Sequence, residues 1–119
     1  MTANIENWIT KTSSTKWKPL KEEGVDTTGI YVKSLRFDAQ LQRSPSILLK
    51  FERGSKYPFH NHPAGEEIFL LKGSCFINNS FLNKGDYLYT PPGFKHSVRT
   101  EAGCEMLLII PAEVEILIK

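Results

Sequence analysis

Cysteine is scarce in this chain: only Cys75 and Cys104 are present. Two cysteines are too few for a disulfide scaffold, and the plain reading of both is a buried small hydrophobe in a reducing compartment. A redox pair would need the two strands that carry them to be neighbours, which spacing alone does not decide. Long hydrophobic runs are missing as well. The longest apolar stretch, Met106 to Ile110, falls far short of the roughly 20 residues a membrane-crossing helix needs. Met1 to Ser14 has no apolar core and no cleavage-site pattern, so it does not read as a secretory signal. A soluble, cytoplasmic protein with no membrane partner is expected. Excess charge of one sign is absent too: 15 Lys and Arg against 13 Asp and Glu leave +2. On bulk charge, that excludes a strongly basic nucleic-acid binder.

What is there is globular. Hydrophobic residues make up 40% and charged residues 24% of 119 positions, a composition that folds rather than stays disordered. The length fits one compact domain over 1–119, able to bury roughly two-thirds of the surface its unfolded chain exposes. The first stretch, about 1–20, reads as a polar arm, with Thr10 to Lys16 all Thr, Ser and Lys. Trp8 and Trp17 stand out in it. A Trp in a polar arm usually anchors the arm to the body or to a second subunit.

From Gly29 onward the pattern is β. Ile30-Tyr31-Val32, Leu35-Arg36-Phe37, Ser46 to Phe51, Glu66 to Lys72, Ser74 to Ile77, Asp86 to Thr90, Phe94 to Thr100, Glu105 to Ile110 and Glu113 to Ile118 read as strands. Turn residues separate them, among them Pro63-Ala64-Gly65 and Pro91-Pro92-Gly93. Short strands at this regular spacing predict an all-β sandwich or barrel.

The chain has three histidines, His60, His62 and His96. On a strand, the spacing of the first two puts both imidazoles on one face. Glu66 follows after the Pro63-Ala64-Gly65 turn, which is expected to fold the next strand back beside the first. Parity from Glu66 puts Ile68 and Leu70 on its face, so the carboxylate enters an apolar interior, while Glu67 points to the other face. His96 must come from a different strand. Three imidazoles and one carboxylate form a mixed nitrogen and oxygen set that suits Zn, Fe, Mn, Ni or Cu, not Ca or Mg alone.

The spacing of these residues resembles the cupin family. Gly54, His60, His62, Glu66 and Gly73 stand at the intervals of the first cupin motif over 54–73. Gly85, Pro91, Gly93 and His96 stand at those of the second, over 85–100. One position departs: cupins often carry Asn where this chain has Thr100, a position that is usually structural. Trp17-Lys18-Pro19-Leu20, Gly24-Val25, the run His60 to Glu67, and Gly103-Cys104 make the chain similar to the ChrR-like group within the RmlC-like cupins. The resemblance implies a double-stranded β-helix, a jelly-roll barrel of about eight core strands. It also implies one divalent transition metal (Zn, Fe, Mn or Ni, the identity left open) on His60, His62, Glu66 and His96. Two functions follow from it: a metal-dependent enzyme of dioxygenase type acting on a small organic molecule, or a non-catalytic metal-dependent sensor module. An anti-sigma role is not expected, because the helical zinc domain that carries it in ChrR-type proteins has no counterpart here.

No further acid, base or nucleophile is legible, so catalytic residues are not assigned. Phe94 and Val98 share the expected face of His96, and with Ile68, Tyr87, Tyr89 and Met106 they are the candidate lining of a pocket for a small-molecule ligand. Trp8, Trp17 and the early strand from Gly29 to Asp38 leave surface that one barrel need not bury, so a homodimer is expected.

Overall fold

The computed structural model describes residues 4–117. Two short 3-10 turns, Ile5–Trp8 and Thr12–Ser14, precede the strands β1 (Lys18–Pro19), β2 (Ile30–Asp38), β3 (Arg43–Phe51), β4 (Lys56–Asn61), β5 (Glu66–Ile77), β6 (Ser80–Asn83), β7 (Tyr87–Thr90), β8 (Lys95–Arg99), β9 (Cys104–Ile109) and β10 (Glu115–Ile116). The all-β reading holds. The strand expected over Glu113 to Ile118 shortens to β10, and Ile118 lies outside the described residues. Among those residues, no helix is long and apolar enough to cross a membrane.

Alternation of side chains explains why these segments pair as they do. Along β9, Cys104, Met106 and Leu108 are buried while the residues between them are half-buried. Along the start of β5, Glu66, Ile68 and Leu70 point in and Glu67, Phe69 and Leu71 point out, as parity requires. All pairings are antiparallel and form two sheets. One runs β1-β2-β3-β9-β5-β7 and the other β6-β5-β8-β4-β10.

Strand β5 belongs to both sheets. Its first half pairs with β7 and β9, and Ser74 to Ile77 pair with β6 and β8. The crossing point is Gly73. Its φ is +72°, and a Cβ there would stand 2.1 Å from the carbonyl oxygen of Gly103. Only a residue without a Cβ allows that approach. Between the sheets lies an apolar core in which Ile30, Phe51, Ile68, Leu70 and Met106 are all at most 2% exposed. Each such side chain stabilises the fold by about 1.5–3 kcal/mol.

One expectation is corrected here, and the two arm tryptophans differ. The Pro63-Ala64-Gly65 turn does not fold β5 back beside β4: β4 pairs with β8 and β10, and β5 opens in the opposite sheet. The turn crosses the barrel, because Gly65 lets β5 begin against the end of β7, with Glu66 opposite Thr90. In the arm, Trp17 lies against the body, and Thr10 and Thr12 are hydrogen-bonded to β2. The ammonium groups of Lys33 and Lys50 stand 4.7 Å and 4.9 Å from the Trp17 ring centre. Trp8 remains 75% exposed.

Candidate metal centre

His60 and His96 are direct cross-strand partners on β4 and β8. A bulge makes this possible. Between the paired positions Tyr57/Val98 and His60/His96, two residues of β4, Pro58 and Phe59, oppose one of β8, Ser97. The extra residue changes the phase of the strand, so Tyr57 and His60 are both buried although their spacing is odd. Pro58, which has no N–H to offer a ladder, sits within the bulge. His62 lies just past the end of β4. Its carbonyl oxygen accepts hydrogen bonds from the N–H of Gly65 at 3.1 Å and of Gly93 at 2.9 Å. Glu66 opens β5, after Gly65 at φ +81°.

These elements bring the four side chains together in the interior. His60 Nε2 is 2.8 Å from His62 Nε2, and His62 Nε2 is 2.9 Å from His96 Nε2. The Glu66 carboxylate oxygens stand 3.3 Å from the Nε2 atoms of His62 and His96. All four residues are at most 4% exposed. Two imidazole nitrogens each about 2.1 Å from one ion and roughly at right angles are about 3 Å apart, so the observed separations fit a shared ion.

The protonation states agree. His60 Nδ1 lies 2.7 Å from the carbonyl oxygen of Pro58. A carbonyl only accepts, so Nδ1 carries the hydrogen and Nε2 is left bare. Burial, above all, lowers His60 to about 4 and His62 to about 3, which keeps both rings neutral and able to ligate. Burial also raises Glu66, with the His96 ring beside it opposing. Lone pairs of neutral rings pointing at one another are unfavourable by themselves. Oxygen Oε1 of Glu66 and Nδ1 of His62 and His96 are buried without a hydrogen-bond partner. The three imidazoles each offer a nitrogen within 4.8 Å of the others, and this donor set fits a transition ion.

The cluster opens into a cavity of about 410 Å³ lined by His60, His62 and Glu66 among mostly apolar side chains. Ile68, Val98 and Met106 line it. Tyr87, Tyr89 and Phe94 do not: they are 55%, 56% and 51% exposed. In β7 the inward positions belong to Leu88 and Thr90, so parity turns both tyrosines to solvent. Phe94 precedes β8 and closes the Pro91 turn, its N–H donating to the Pro91 carbonyl at 3.1 Å. Strand parity therefore does not extend back to it. Sequence reasoning missed Phe51, Leu49 and Ile47, which also line the cavity; their alternation along β3 was the available signal. It also missed Leu20, Glu22, Glu113 and Val114, which reach the cavity from irregular segments and carry no pattern.

Residues 6–113 match the ChrR cupin-like domain family. Among curated proteins, the chain is 32% identical over 69 residues to the DNA damage-repair/toleration protein DRT102 of Arabidopsis thaliana, covering 53% of this chain and 22% of that protein. It is 37% identical over 62 residues to the dimethylsulfoniopropionate lyase DddQ of Ruegeria pomeroyi, covering 48% of this chain and 31% of that one. The chain thus spans less than a third of the length of the curated relatives it matches. The solved structure of an acetylacetone dioxygenase from Acinetobacter johnsonii superposes with a TM-score of 0.77 at 17% identity, over 100% of this chain and 81% of that one. At that identity the likeness is one of fold.

Proposed function

Since the chain belongs to the ChrR cupin-like domain family, we propose that His60, His62, Glu66 and His96 hold one divalent transition metal at which a small organic molecule is bound and transformed. The observation that carries this reading is the position of the cluster. It lies on the wall of an open cavity with apolar lining, whereas purely structural metal sites are closed on all sides. A metal held there supplies Lewis acidity and free positions for a ligand. The protein's own share is to fix the donors, exclude bulk water and shape the space beside them. Fold likeness to an acetylacetone dioxygenase supports oxygen chemistry on a small ketone as the reaction class. Protein loaded with Fe(II) is expected to consume oxygen when given a diketone or a phenolic ketone. No uptake with iron, and stoichiometric zinc after purification, would contradict the enzyme reading.

That second outcome corresponds to a metal-dependent sensor. One observation favours it: among the described residues, Tyr57 is the one cavity-lining group outside the four donors that is both titratable and buried.

A homodimer belongs to the same reading. The outer face of the first sheet carries a row in register, Tyr87 beside Phe69, then Leu107, then Leu48, and Phe69 is 40% exposed. Ile5 and Trp8 in the arm are 70% and 75% exposed. Two apolar surfaces of this kind on one chain suit mutual burial by a second copy. Light scattering at micromolar protein is expected to give twice the chain mass, and a monomer mass would refute the dimer.

A further inference from the structure

The cavity has a second polar feature beside the four donors. The Tyr57 hydroxyl donates to Oε2 of Glu22 at 2.6 Å. Both residues line the cavity. Tyr57 is 8% exposed, and its ring meets that of His60 edge-on at 4.9 Å between centres. The Tyr57 ring therefore sits next to the metal candidates, with the half-buried Glu22 at its hydroxyl.

We propose that Tyr57 and Glu22 anchor the ligand, and that the cavity selects a small molecule with an apolar body and a hydrogen-bond-donating or cationic head over an anion. This rests on the reading of the cavity as a ligand site. The tyrosine proton is committed to Glu22, so the phenolic oxygen and the carboxylate can only accept. Glu23 and Glu113 also line the cavity and are acceptors as well, and Arg43 is the one cation in the lining. Arg43 is tied down, its guanidinium donating to the carbonyl oxygen of Ile110 at 2.6 Å. Glu66, which also lines the cavity, adds a fourth carboxylate. The Phe51 and Tyr57 rings add faces that attract a cation once water is excluded. An anion would meet four carboxylates against one cation, Arg43, which is already engaged with the Ile110 carbonyl. A head group with N–H or O–H bonds meets acceptors already in place.

The test uses three probes of equal size: n-butylammonium, n-butanol and butyrate. Each is titrated into the metal-free and the zinc-loaded protein by calorimetry. On metal-free protein, n-butylammonium is expected to bind about tenfold tighter than n-butanol, the worth of a charge-assisted hydrogen bond, with butyrate weakest. Glu22→Gln should remove that advantage. Tyr57→Phe, which keeps the ring, should reduce the advantage, and it provides a second reading should Glu22→Gln fail to fold. Equal affinity of the three probes, or butyrate binding tightest to metal-free protein, would overturn the anchor while leaving the cavity reading intact. Failure of n-butanol to bind either form would overturn the cavity reading and the anchor with it.

Discussion

The backbone N–H of Gly93 donates to the carbonyl oxygen of His62 at 2.9 Å. This bond joins the turn that follows the first two histidines to the turn that precedes the third. The same carbonyl takes the N–H of Gly65, so one oxygen holds both turns and with them the relative positions of His62, Glu66 and His96.

The two glycines differ in a way that substitution can measure. Both have positive φ, +81° at Gly65 and +83° at Gly93, and a left-handed non-glycine residue costs about 1–2 kcal/mol. A Cβ at Gly93 meets nothing within 4 Å, whereas one at Gly65 stands 2.8 Å from the Thr90 carbonyl oxygen. Gly93→Ala is expected to cost about 1 kcal/mol in urea unfolding, and Gly65→Ala at least about 1 kcal/mol more. Equal losses would show that β7 yields freely at Thr90.

Thr100 fixes the seam of the barrel. Its hydroxyl donates to the Ser74 carbonyl at 2.7 Å and accepts from the Gly103 N–H at 2.9 Å. It is 3% exposed. Thr100→Val keeps the shape and strands both partners, so a loss of about 1–3 kcal/mol is expected. A midpoint unchanged from wild type would mean that the seam does not depend on this hydroxyl.

Acid should weaken the metal-free protein. His60 and His62 sit at about 4 and about 3 in the fold, against about 6.5 in an unfolded chain. Between those values the unfolded state binds more protons, so stability is full above about 6.5 and is lost as pH falls toward about 4. Glu66, raised by burial, runs the other way. Its contribution is lost as pH rises through its folded value, and one group does not offset two. Chemical unfolding at pH 5 is expected to show about 2 kcal/mol or more less stability than at pH 7. Equal stability would contradict neutral, buried imidazoles.

Much of the site was legible because strand periodicity and turn chemistry are local. Parity alone placed Glu66, Ile68 and Leu70 inward and Glu67 outward, where it accepts a hydrogen bond from Tyr87 at 2.6 Å. What parity could not supply was phase. The bulge between Tyr57 and His60 shifts the alternation by one residue, and nothing in Tyr57-Pro58-Phe59 announces that except the missing N–H of proline. Phe94 failed for the same reason at a boundary: β8 starts one residue later than the apolar pattern suggests. Tyr87 and Tyr89 failed because an aromatic side chain on a short strand reads as core by composition, while the sheet turns it outward. The crossing of β5 between sheets rests on Gly73 and its approach to Gly103, a contact between distant positions that no local window contains.

Elemental analysis of the purified protein decides whether one metal sits on the four donors His60, His62, Glu66 and His96. Wild type should carry about one transition ion per chain. His62→Ala, His96→Ala and Glu66→Ala should each lower that content sharply, because each removes a donor converging on one point, while Glu67→Ala, on the outer face, should leave it unchanged. Folded protein that takes up no transition ion even when supplied with one, or an ion content unaffected by His62→Ala and His96→Ala, would contradict the account.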